Sequence, residues 1–277
     1  MKETIKFQMP EGLDGTALFY PCSGSDLATP IGMFSPVVTD FWFVDRGYFS
    51  PGHQDTKRYG FDASADRIAP VLAGDADYEL LGTAIRGLPA WPCGVRDIEP
   101  CVLTETYRHL PTGRRIKVRR RRGYGFSAFR QEIRQIGVFF YRGDSLGEGG
   151  SGNLWLDPKH VHELCGKLID GGLIATDGSQ RKKWRNWTRS GAYHQFSRFG
   201  SDECRLSPEE LVKSAKPFAD PWGRVFRCVG YAGQRYGPTL VWQVNKSRET
   251  RDRREGGRRT AMVVPGIRTP GNRRVWQ

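Results

Sequence analysis

No apolar run in this chain is long enough to cross a bilayer. One of the longest, Ile136–Tyr141, spans six residues, against the roughly 18–20 that a membrane helix needs. The opening residues Met1-Lys2-Glu3-Thr4 are charged and no apolar stretch follows them, which argues against a secretory signal and predicts a cytoplasmic protein with no membrane partner. The six cysteines (Cys22, Cys93, Cys101, Cys165, Cys204, Cys228) form no Cys-x-x-Cys pair, and no histidine stands at ligand spacing from them. Disulfide frameworks and zinc sites need tighter clustering, so reduced thiols and no metal are expected. The same absence argues against a zinc deaminase, which requires a His-x-Glu partnered by Cys-x-x-Cys. Negative charge is also scarce, with 30 Asp and Glu against 43 Lys and Arg.

The resulting net charge of +13 is mostly arginine, whose planar fork grips phosphate oxygens in pairs and stacks on bases. The charge is concentrated, which points to a polyanionic partner, DNA more than RNA. One concentration lies within 98–123. There Leu110-Pro111-Thr112-Gly113 is a turn signal, and seven of the nine residues Arg114–Arg122 are basic. Ile116 and Val118 alternate with Arg115, Lys117 and Arg119, the pattern of a β-hairpin with one apolar face and one cationic face. Arg114, Arg115, Lys117, Arg119 and Arg121 are the expected phosphate contacts. The plainer alternative is a solvated edge strand guarded by charge. A second candidate surface, Arg181-Lys182-Lys183-Trp184, interleaves cations with an aromatic, as a base-stacking platform does. Residues 246–277 hold ten basic and three acidic residues with no periodicity, and are expected to be a disordered tail.

With 38% hydrophobic residues, 277 residues can bury one full core, and residues 1–245 are expected to form a single α/β domain. Apolar runs at Ala17–Tyr20, Phe41–Val44, Ile136–Tyr141 and Leu173–Thr176 predict buried strands. A short helix is predicted over Leu27–Phe34, with Pro30 setting its start near Thr29. Another is predicted over Pro158–Leu168, with Asp157 as cap. Val225–Tyr231 and Thr239–Val244 read as an antiparallel pair. Strands that do not alternate, separated by helices, indicate a mostly parallel sheet flanked by helices, with a ligand crevice beyond the carboxyl ends of its strands. Polar clusters fall at those ends: Ser23–Asp26, Asp45, Arg142–Glu148 and Asp177–Ser179.

This order of elements resembles the class I S-adenosylmethionine-dependent methyltransferases, which share a Rossmann-like sheet with a terminal antiparallel strand pair. Tyr20-Pro21-Cys22-Ser23-Gly24-Ser25-Asp26 stands where that family has its Gly-rich turn, and Asp45 where it has the acid that binds ribose. Tyr141-Arg142-Gly143-Asp144 stands at the end of the fourth strand, and Leu168–Ile174 at the approach to the fifth. The basic hairpin is an insertion where a third strand and helix belong. Three glycines usually occupy the family's turn, whereas Gly24 stands alone here, and the Pro-Pro-aromatic signature is replaced by the Gly-rich Gly143–Gly152. The resemblance implies S-adenosylmethionine as cofactor, held by Tyr20, Ser23, Gly24 and Asp45, and methyl transfer to DNA or RNA. Asp144, Glu148 and Asp26 are the candidate catalytic carboxylates. One alternative is a cofactor-free DNA glycosylase that flips a base toward such carboxylates, since Gly24-Ser25-Asp26 also resembles the uracil-glycosylase turn. Another is a non-catalytic nucleic-acid-binding protein on a degenerate Rossmann core.

Overall fold

A computed structural model describes residues 5–49, 61–62, 67–87, 101–143, 155–178, 193, 195–196, 206–233 and 238–246. Eleven strands form one mixed sheet. Its parallel centre consists of β2 (Ala17–Pro21), β3 (Asp40–Asp45), β8 (Arg114–Arg122), β9 (Ile136–Tyr141) and β10 (Leu168–Thr176). On one side β13 (Leu240–Asn245) runs antiparallel to β10, and β12 (Val225–Ala232) runs antiparallel to β13. β1 (Ile5–Lys6) and β11 (Phe218–Ala219) both pair with β12. On the other side β7 (Val102–His109) and β6 (Tyr78–Arg86) extend the sheet antiparallel from β8. The linear order is β1-β12-β13-β10-β9-β2-β3-β8-β7-β6, and a separate two-strand pair joins β4 (Phe61–Asp62) to β5 (Arg67–Ile68).

The central strands are apolar on both faces because both faces are covered. On one face Leu18, Tyr20, Phe41, Phe43, Val138, Phe140 and Ala175 pack against Ile31, Met33 and Phe34 of α1 (Ala28–Phe34). On the opposite face Phe19, Val44, Phe139, Tyr141, Ile174 and Trp242 meet three other helices. Ala128 and Phe129 come from α2 (Gly125–Gln131), Val161, Leu164 and Cys165 from α3 (Pro158–Lys167), and Leu211 from α4 (Pro208–Ser214). The helices start where their local chemistry dictates. The Asp157 side chain accepts the His160 N–H at 2.8 Å and Pro158 fills the first turn of α3. Ser207 and Glu210 cap α4 reciprocally. Trp155 is 1% exposed and stacks on Phe126 at 4.0 Å, so it fills the core.

The expected α/β class, the parallel centre and the antiparallel flank are present, and the four apolar runs and the antiparallel pair form strands at the expected places. The basic hairpin is present too, with Val102 opposite Arg121 and His109 opposite Arg114, but it is no insertion. Its second strand, β8, pairs in parallel with β3 from Asp40–Lys117 to Asp45–Arg122, and so belongs to the sheet itself. Burial decides this, since Ile116 and Val118 complete an apolar face that β3 alone would leave bare. The tail beyond 246 lies outside the described residues. Among the described residues, no helix is long and apolar enough to cross a membrane.

Candidate functional site

The parallel strands end at one rim, and the backbone after β2 turns sharply there. Cys22 has φ +56° and Gly24 has φ +52°, so two residues of this short turn sit in the left-handed region. Glycine adopts it freely, while Cys22 holds it at a cost of about 1 kcal/mol or more, which the surrounding contacts must offset. Those contacts are specific. Ser23 is 3% exposed, with its Oγ 2.6 Å from the Tyr48 hydroxyl, and Tyr48 donates in turn to the Gly24 carbonyl at 2.9 Å.

Asp45, at the end of β3, ties two loops together. Its Oδ2 accepts the Gly24 N–H at 3.0 Å and its Oδ1 accepts the Gly47 N–H at 2.7 Å. Its own carbonyl accepts the Gly123 N–H at 3.0 Å, which joins the rim to the end of β8. The side chain is half-buried at the end of the strand. A Cβ placed on Gly24 would meet nothing within 4 Å, so there is room beside the turn. One residue past Gly123, Tyr124 is 50% exposed, and the Arg46 guanidinium lies 4.8 Å from its ring centroid. A turn with room beside it, a half-buried carboxylate and an exposed ring thus stand at this rim.

Asp26 and Tyr20 have different work from that expected of them. Asp26 is 2% exposed and forms a two-point ion pair with Arg142, Nε to Oδ2 at 2.6 Å and Nη2 to Oδ1 at 3.0 Å. A carboxylate held this way has both oxygens engaged by a fixed, buried cation, an arrangement that does not suit a general base. Tyr20 is 1% exposed, and its hydroxyl is 2.9 Å from the Arg142 carbonyl and 3.2 Å from Asp26 Oδ2. It supports the pair and does not face a ligand. Asp177, 7% exposed, accepts the Gly143 N–H at 2.8 Å and so joins the ends of β10 and β9. The buried cation Arg142 and the hydroxyl anchor Tyr48 were not singled out as site residues. Arg142 stands next to a glycine loop, and it is the one basic residue directly after an all-apolar strand, which is the signal that marks it.

The basic strand divides. Arg120, Arg121 and Arg122 are each no more than 2% exposed. Arg120 bonds Glu105 at 3.0 Å, and Arg121 is ion-paired to Glu132. Arg119 pairs with Asp40 at 2.7 Å and lies over the Trp42 ring, while Arg114 is ion-paired to Asp14. Of the five expected phosphate contacts, Arg121 is therefore corrected to a buried structural cation, because Glu132 and the sheet enclose it. Arg115 and Lys117 remain exposed. Asp144, Glu148, Arg181, Lys182, Lys183 and Trp184 lie outside the described residues. No group of three potential metal ligands occurs among the described residues.

Compared with family models, with curated proteins and with solved structures, the chain matches none.

Proposed function

We propose that the chain is a Rossmann-like, S-adenosylmethionine-dependent enzyme that transfers a methyl group to nucleic acid. One observation carries this reading: the strand order, with a single reversed strand, β13, between β10 and a β12 that runs parallel to it. Counted from β2 outward, that order agrees with what the family resemblance implies. The Asp45–Gly24 contact then falls at the junction where a nucleoside belongs. The residues fit the cofactor: Asp45 would hold the ribose hydroxyls, the open side of Gly24 would admit the backbone-hugging end, and Tyr124 would lie against the base. S-adenosylmethionine supplies an electrophilic methyl group when bound. This chain's part is to bind, to orient and to keep water out, because transfer depends chiefly on in-line approach of a desolvated nucleophile.

The glycosylase alternative is weakened by the locked Asp26, which removes the carboxylate that its Gly-Ser-Asp turn would use. Isothermal calorimetry with S-adenosylmethionine and its demethylated product tests the proposal. Wild-type protein should bind at about micromolar Kd. Asp45→Ala should lose at least about tenfold, equivalent to the roughly 1–3 kcal/mol of a charged hydrogen bond. Absence of binding at millimolar ligand, with the protein folded, would sink it.

A further inference from the structure

Among the described residues, the sheet does not have both faces covered along its whole width. On the face that packs against α2, α3 and α4, the end of α2 reaches Arg121, but no helix lies over β6, β7 and the Arg115–Arg119 part of β8 among the described residues. Register fixes what that face presents. Arg115 is opposite Arg108, Lys117 is opposite Thr106, and Arg119 is opposite Thr104, with Ala84 and Gly82 beyond on β6. The alternate residues of β8, Ile116 and Val118, are buried on the other face, so Arg115, Lys117 and Arg119 point this way together. Head groups on one strand therefore repeat at about 6.7 Å, and rows on neighbouring strands stand about 4.8 Å apart.

At the α2 side this face deepens into a depression of about 460 Å³, lined among others by Trp42, Thr104, Arg86, Arg119, Glu132 and Arg134. That volume is within the range of small-ligand pockets, roughly 300–1,000 Å³. Three carboxylates share the surface, and each is engaged: Asp40 with Arg119, Glu79 with Arg108, and Glu132 with both Arg86 and Arg121. Glu132 thus serves two guanidiniums with one charge. Arg115, Lys117 and Arg134 have no carboxylate partner among the described residues. A surface of cations and hydroxyls, with an aromatic in a recess, is electrostatically complementary to a strand of phosphates carrying exposed bases.

We infer that the bare face of β6–β8 is the docking surface for a single nucleic-acid strand, with Arg115, Lys117 and Arg134 on phosphates and the Trp42 recess receiving a base. This deepens the proposed function by giving the polymer a place other than the predicted hairpin contact Arg121, and it rests on that reading for its partner. The test is fluorescence anisotropy of full-length protein with a labelled mixed-sequence single-stranded DNA oligonucleotide, in the absence of cofactor, over a series of salt concentrations. Arg115→Glu/Lys117→Glu should weaken binding by at least about tenfold, and Arg115→Ala/Lys117→Ala should lower the salt slope by about 1.4, the value for two lost phosphate contacts on a single strand. Lys159→Glu/Lys216→Glu changes the net charge equally on exposed residues of other elements, and should cost no more than about twofold through the general field. Equal losses in the two Glu pairs, or no loss in either, would overturn the inference. So would a duplex of the same sequence that binds as tightly and responds to Arg115→Glu/Lys117→Glu in the same way. Calorimetry with S-adenosylmethionine on the Arg115→Glu/Lys117→Glu protein separates the two readings, since the rim should bind cofactor whether or not the face binds nucleic acid.

Discussion

The two ends of β8 both carry basic residues, and these have opposite fates. Arg120, Arg121 and Arg122, at the end near the rim, are enclosed by β7, α2 and the segment around Ala69, while Arg115 and Lys117, at the other end, reach solvent. The difference lies in what stands across from each residue. Glu105 and Glu132 meet the inner arginines, and Ala69 supplies a carbonyl to Arg120 at 2.9 Å, whereas Arg115 faces only Arg108 across the ladder. A basic run is therefore no uniform phosphate grip. Its buried members are paired within the fold, and its exposed members face solvent.

The comparison is broken most severely at the inner end. Arg120→Ala leaves Glu105 buried without its cation and should cost about 3–5 kcal/mol, read from urea unfolding, because the lone charge must be desolvated or neutralised. Oligonucleotide affinity per folded molecule should not change. Glu132→Gln comes next: it strips a charge from buried Arg121 and releases exposed Arg86, so stability should fall by about 1–3 kcal/mol while oligonucleotide binding tightens. A fall in both would show that the two halves are not separable. Arg115→Ala, at the outer end, should move stability by no more than about 0.5 kcal/mol, as expected of a surface site.

Acidity sharpens the same contrast. Burial holds the Glu105 carboxyl above its ordinary value of 4.5, against the pull of Arg120. The folded state then binds this proton more tightly than the unfolded chain does. Its contribution is full below about pH 4.5 and is lost as pH rises through the folded value. Glu209, at the far edge of the sheet, behaves oppositely. Hydrogen bonds from Tyr231 and Lys6 pull it down to about 2, so its contribution is present above 4.5 and is lost as pH falls toward 2. Urea midpoints across pH should flatten on the alkaline side of 4.5 in Glu105→Gln, and on the acid side in Glu209→Gln.

Much of this fold is readable from residues alone, for identifiable reasons. Apolar runs of four to six residues between Gly, Pro and Asp clusters marked the central strands, and Pro111 with Gly113 located the turn between β7 and β8. Period-two alternation also held the warning that was missed. Extended through the strand, it puts Arg120 and Arg122 on the same buried face as Ile116 and Val118. What alternation cannot supply is a neutralising partner on another element, and Glu105 and Glu132 are recognisable only once β7 and α2 are in place. The strand Tyr78–Arg86 was missed because, at the sheet's edge, it buries little and needs no apolar pattern. At the rim the place of Asp45 at the end of an apolar strand was legible, whereas the ion pair of Asp26 was not, because its partner, Arg142, is 116 residues away in the chain.

The hold of Asp45 on the amides of Gly24 and Gly47 has a consequence for the timing of any encounter at the rim. A turn already fixed by a neighbouring carboxylate has no disorder left to surrender when a guest arrives. Association there should approach the rate of a rigid receptor, with little lag and with selectivity expressed mainly in how long the guest stays.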